Sequence, residues 1–228
     1  MGIEPESDGH ERAQVSPWRP VAGDVPDAVR DAWRPDDRHR VLAEQLHRFG
    51  LWDHLPAEAR ADAVADVASG GYPLDFDLLY ERIEFFADGE SLAEGGVERF
   101  LGEIAPALAR FGLYLQVQAV EQPYLGLGHG DYVLSVNGIG CTIWNADDWS
   151  GGNTWEQATA RPLAVVNQLL ASAGTSRVRA HTLYAGGNEG ILLLMDPRAA
   201  EAMRASGLCP DHEVPALAAA GQGRSQRG

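Results

Sequence analysis

Lysine is missing from this chain: every basic side chain among its 228 residues is an arginine. Arginine keeps its proton at ordinary pH, so a Schiff-base amine, a lysine general base and a P-loop lysine are all excluded. Cysteine is nearly missing too, with only Cys141 and Cys209. Two thiols so far apart make neither a disulfide framework nor a metal motif, and two reduced thiols are expected. No apolar run reaches the roughly 18 residues of a membrane-spanning helix. The N-terminus is polar and acidic, without a charged-then-apolar leader pattern, so a cytoplasmic protein with no membrane contact is expected.

Positive charge is scarce as well. Thirty-three acidic residues stand against 18 arginines, a formal net of −15. Residues 1–110 hold 23 acids and 11 Arg, and residues 111–228 hold 10 acids and 7 Arg, so the acidity belongs to the N-terminal half. A phosphate backbone needs a basic surface, and direct nucleic-acid binding is disfavoured. A field of this sign speeds the approach of a basic protein, although it also serves solubility.

What the sequence does contain is clearest at Asp131–Trp144. Asn137-Gly138 is the preferred pair for a type I′ turn, where both central residues take φ > 0. That turn would set Val136 opposite Ile139, Leu134 opposite Cys141 and Tyr132 opposite Ile143, giving one wholly apolar face. Asp131, Ser135, Gly140 and Thr142 fall on the other, and Asp131 would pair with Trp144.

Ahead of the hairpin the period is helical. Residues 1–25 show no period and read as a mobile arm. Asp36 or Asp37 can cap a helix with Val41, Leu42, Gln45, Leu46 and Phe49 on one face, stopped at Gly50. Pro56 opens a second, with Ala59, Ala63, Val64 and Val67 inward. The stretch from Leu74 to Gly89 places Phe76, Leu79, Tyr80, Ile83 and Phe86 at helical spacing. Ser91 to Glu94 has capping-box spacing, and Val97, Leu101, Ile104, Leu108 and Phe111 form a stripe; Pro106 predicts a break near Glu103.

From Leu113 to Gln122 the period becomes two, a half-exposed strand. A glycine-rich link, residues 126–130, leads into the hairpin, and a loop, Asn145 to Asn153, leads out. Thr154 to Gly174 predicts a helix with Pro162 in its first turn and Leu163, Val166, Leu169 and Leu170 buried. Arg177–Tyr184 alternates, Ile191–Met195 is continuously apolar as in a central strand, and Asp196-Pro197 starts a last helix. Residues 210–228 read as an unstructured tail.

The expected fold class is α+β: N-terminal helices, then an antiparallel sheet of about five strands in the order β-ββ-α-ββ-α, with helices packed on one face. Residues 26–209 would form a single domain, an acidic helical part (26–112) followed by a sheet part (113–209).

Three sets of residues are candidates for function. Asp77, Glu81, Glu84 and Asp88, at steps of 4, 3 and 4, would align four carboxylates on a helix ridge held against its own repulsion. With Trp144, Trp149 and Trp155 they suggest an acidic, aromatic surface for a basic protein. An immunity-type inhibitor of a toxin nuclease has that physics, and this non-catalytic binding reading leads. His129, Asp131, Asp147, Asp148 and His181 are the alternative, a carboxylate–imidazole cluster at the hairpin's open end suited to a metal-dependent hydrolase. A small-ligand binder with a tryptophan-lined pocket is the third reading. HExxH, paired CxxC and GxSxG are absent, Cys141 is expected to be packed and inert, and no resident metal or cofactor is expected.

Overall fold

The two N-terminal helices form where their apolar spacing requires. In the computed structural model, which describes residues 37–75, 79, 82–122 and 130–219, α1 spans Asp37–Arg48 and buries Leu42, Ala43 and Leu46. Helix α2 spans Ala57–Ala68 and buries Ala63 and Val67. Leu51 and Trp52, on the link between them, are buried as well. The arm at 1–25, Phe76, Tyr80, residues 126–129 of the glycine link and residues 220–228 of the tail lie outside the described residues.

The helix expected from Leu74 to Gly89 does not reach its end. Glu84–Phe86 is a strand, β1, because it finds an antiparallel pairing partner in Ile191–Leu193 and tertiary pairing overrides a short helical period. Asp88 then caps the next helical turn, accepting from the amides of Glu90 at 3.0 Å and Ser91 at 3.5 Å. Ser91 is thus not the cap; its hydroxyl donates to Asp88 at 2.8 Å. A π turn, Leu92–Gly96, leads into α3, Val97–Ala109, and Gly95 within it has φ +102°. The distortion expected near Glu103 therefore lies upstream, and α3 runs unbroken through Pro106. Gly102 and Pro106 are both exposed, so water can take the carbonyl that proline leaves unbonded.

Strand β2, Val117–Glu121, is exposed along most of its length. It pairs antiparallel with β3, Tyr132–Val136, which pairs in turn with β4, Ile139–Trp144. Asn137 and Gly138 take φ +50° and +79°, as the turn requires. Asn137 also binds the neighbouring strand's approach: its side chain accepts from the Gln116 amide at 2.6 Å and donates to the Tyr114 carbonyl at 2.9 Å. The register follows the expectation from Val136 to Leu134, then shifts, so that Tyr132 pairs with Trp144 and not with Ile143. A bulge lets Tyr132, Ile143 and Trp144 all turn inward. Trp144, placed by strict alternation on the mixed face, is buried, and its indole donates to the Ala93 carbonyl at 2.9 Å.

The expected loop after the hairpin is largely a short helix, α4, Ala146–Gly151. It leads into α5, Thr154–Ala173, in which Pro162 lies well inside and not in the first turn. Its ring is buried there, and apolar burial offsets part of the missing bond. Beyond α5 come β5, Arg179–Leu183, and β6, Ile191–Met195, then α6, Pro197–Ser206, capped by Asp196 as its sequence predicts. The tail is not wholly unstructured: a 3-10 turn at Asp211–Glu213 precedes β7, Ala216–Leu217, two residues too short to leave a sequence signal.

The fold is α+β, with six helices and antiparallel strands among the described residues. In place of one sheet of five there are two, a four-stranded sheet of order β1-β6-β5-β7 and a three-stranded sheet of order β2-β3-β4. Helix α5 packs on β4 of one and β5 of the other. From it Asn167 accepts from the Ala180 amide at 2.6 Å and donates to the carbonyls of Ala180 and Ala218, each at 2.9 Å. The turn after β5 is stapled to the chain after β1, with the Ala87 amide on the Gly190 carbonyl at 2.7 Å and the Gly89 amide on Gly187 at 3.0 Å. A Cβ on Gly89 would stand 2.9 Å from the Gly186 backbone, so only glycine permits this approach.

Asn137→Ala forfeits both the left-handed tolerance and two hydrogen bonds, and should cost about 2 kcal/mol in equilibrium urea unfolding. Asn137→Gly restores the backbone but not the bonds, so roughly half of that loss should remain.

Candidate functional site

At the open end of the hairpin, local chemistry fixes most of the polar groups. Asn145 caps α4, its side chain accepting from the amides of Asp147 at 3.1 Å and Asp148 at 3.0 Å. Asp148 completes the capping box, its carboxylate accepting from the Asn145 amide at 2.9 Å. The same carboxylate takes both terminal nitrogens of Arg161, at 2.6 and 3.0 Å. Arg161 reaches on to the β4 carbonyls of Ile143 at 3.4 Å and Thr142 at 3.5 Å. Asp148 is buried and its acceptor sites are engaged, so it is a structural anchor with little capacity left for a metal or a proton in transit.

Its proposed companions are elsewhere or differently employed. Asp131 and Asp147 are exposed. His181 lies on β5, in the other sheet, 2% exposed, with Nδ1 3.0 Å from the Arg179 carbonyl. Burial pushes its pKa down to about 4, so the ring is neutral at physiological pH. His129 falls outside the described residues. Among the described residues no group of three His, Cys, Asp or Glu side chains is placed to hold a metal ion. The hairpin-end cluster is therefore not assembled by the residues described.

The carboxylate ridge is dispersed too. Asp77 and Glu81 lie outside the described residues. Glu84 is on β1 and 3% exposed, and Asp88 is spent as a cap. Glu84 pairs with Leu193, and Leu193 with His181, so the acid and the imidazole flank one leucine on the same face of the four-stranded sheet. Burial, reinforced by Asp75, raises the Glu84 pKa to about 7. Neither group presents charge to a partner. Cys141 meets its expectation: it is buried, and burial lifts its thiol to about 11.

The tryptophans divide by role. Trp144 is core, edge-on to Tyr132 with centroids 6.3 Å apart. Trp149 on α4 is 52% exposed, its ring 5.8 Å from that of Trp144 and tilted by 37°. Trp155, in the first turn of α5, is also exposed. An indole half in water but seated on a buried indole loses little freedom when something covers it. Tyr132 pairs with Trp144, so Asp131 just precedes that pair and Asn145 just follows it, at the start of the helix that carries Asp147 and Trp149.

Arg161 and Asn167 were not singled out by the sequence pattern, although each left a trace: both interrupt the apolar stripe of a long helix that is otherwise buried on that side. Compared with family models, with curated proteins and with solved structures, the chain matches none.

Removing the guanidinium in Arg161→Ala strands a buried carboxylate, and should lower stability by about 3 kcal/mol in denaturant unfolding. The Glu84 pKa is raised on folding, so its contribution is present below the unfolded value and lost as pH rises through about 7. His181 acts in the opposite sense, its contribution present above the usual imidazole value and lost as pH falls through about 4. The stability difference between wild type and Glu84→Gln should thus swing by on the order of 2–3 kcal/mol toward the variant as pH rises from about 5 to 8.

Proposed function

We propose that this chain is a non-catalytic, acidic binding protein that presents Trp149 and its neighbouring acids to a basic protein in the cytoplasm. The observation that carries the reading is the seating of Trp149: half exposed, braced by buried Trp144, on a helix whose cap is locked by Asp148 and Arg161. An exposed, pre-ordered indole is the residue type that most often anchors protein interfaces. Asp131 and Asp147 lie exposed at the same end of the hairpin. Arg161, on the following helix, is ion-paired with Asp148. The formal net of −15 adds long-range attraction for a basic partner and argues against direct nucleic-acid contact.

An immunity-type inhibitor of a toxin nuclease is the functional class that these properties suit best. A nuclease presents a basic face to its substrate, and an acidic protein with an aromatic anchor can occupy that face in place of nucleic acid. Cytoplasmic residence fits two free thiols, one of them buried.

The test is retention from the source cell's extract on the immobilised chain. The retained protein should be basic and should elute as salt rises, since exposed charges are screened over about 8–10 Å at physiological ionic strength. Asp147→Lys combined with Trp149→Ala should abolish retention while a cooperative thermal transition is kept, because Asp147 is exposed and Trp149 is half exposed. A partner held equally well by the double variant, or released only by denaturant, contradicts the reading.

A further inference from the structure

We propose that the outer edge of β2 is a self-association surface, on which a second copy of this chain lays its own β2 antiparallel to join the two three-stranded sheets into one. Strand β2 is an end member of its sheet, so one of its edges has no strand beside it among the described residues. Which groups lie on that edge follows from the bonds on the other. Toward β3, the Gln116 carbonyl accepts from the Asn137 amide at 2.8 Å, while the Gln116 amide and the Tyr114 carbonyl bond the Asn137 side chain. In the register with β3, Tyr114, Gln116 and Gln118 therefore turn their backbone groups inward, and Leu115, Val117 and Ala119 turn theirs outward. An edge of this kind is a template for another strand. The Asn137 bonds hold it extended before any partner arrives, which lowers the ordering cost of pairing.

The side chains make the edge complementary to itself. Tyr114, at 75%, and Val120, at 67%, are the most exposed large apolar residues described. A two-fold axis through Val117 sets Tyr114 of each copy opposite Val120 of the other, and Gln116 opposite Gln118. An aromatic ring across from a β-branched side chain is a favourable cross-strand pair, and the symmetry supplies it twice. Leu113 to Val120 carries no charge in a chain whose formal net is −15, so like charges do not meet along the pairing. At its ends the charges are unlike: Arg110, which donates to the Arg82 carbonyl, precedes the strand, and exposed Glu121 closes it. Antiparallel apposition brings the acidic end of each copy to the basic end of the other. The bulge at Val120 confines the new ladder to Leu115–Ala119, a short run that suits a reversible dimer of micromolar affinity. Trp149 follows β4 at the far side of the sheet, so this edge stands apart from the surface proposed for a basic partner.

The experiment is sedimentation of the full chain over a concentration series reaching about 200 µM, where a monomer–dimer equilibrium is expected. Val117→Pro removes an outward N–H without touching a bond to β3, and should weaken the dimer at least about tenfold. Tyr114→Lys combined with Val120→Lys sets like charges opposite each other in both copies, and should weaken it by as much. Both of those side chains are exposed, so the double variant remains informative if Val117→Pro does not fold. Trp149→Ala should leave the equilibrium unchanged. A monomer at every concentration overturns the proposal, and so does a dimer that either folded β2 variant leaves intact or that Trp149→Ala abolishes.

Discussion

Helix α5 is the member on which the two sheets depend. A 20-residue helix that packs on β4 with one part of its surface and on β5 with another must bury more than a single stripe. Its buried set, including Ala158, Leu163, Val166 and Leu170, does so. Helices of that kind are usually apolar nearly all round. This one instead keeps Asn167 and Arg161, and each repays its burial with directed bonds, Asn167 to the β5–β7 edge and Arg161 to the end of β4. The apolar residues hold the sheets against the helix, and the two polar ones fix where along it each sheet sits.

The hairpin, the helices at either end and the two-strand run after α5 were legible in the sequence because their signals are local. Asn137-Gly138 fixes a turn with two residues, and Asp196-Pro197 fixes a helix start with two more. The features that escaped depend on distant partners. Glu84–Phe86 reads as helix until β6 is placed beside it, and Ala216–Leu217 is a strand only because β5 offers an edge. The division into two sheets was illegible for the same reason, since no local pattern reports that β4 and β5 are separated by a helix packed on both. The bulge beside Tyr132 shows the limit of strict alternation: one shifted pair moved Trp144 from a supposed surface to the core.

Several of the acids that looked functional are structural. Asp88 and Asp148 cap helices, Asp148 also holds Arg161, and Glu84 is buried within a sheet. Charge counted along a sequence therefore overstates the charge available at the surface. The candidate surface was legible at Trp149 and Asp147, where neighbouring aromatic and acidic residues stayed exposed.

The staple between the chain after β1 and the turn after β5 joins two backbones with no side chain between them. Glycine at 89 and 190 makes that approach possible, and the amides of Ala87 and Gly89 make it specific. Surface turns ordinarily drift in length among related proteins, because nothing but water lies against them. Here an inserted residue would pull one backbone off the other, leave two amides without acceptors and tilt the first turn leading to α3. Natural variants of this chain should therefore change the identity of residues 185, 188 and 189 freely while keeping their number fixed.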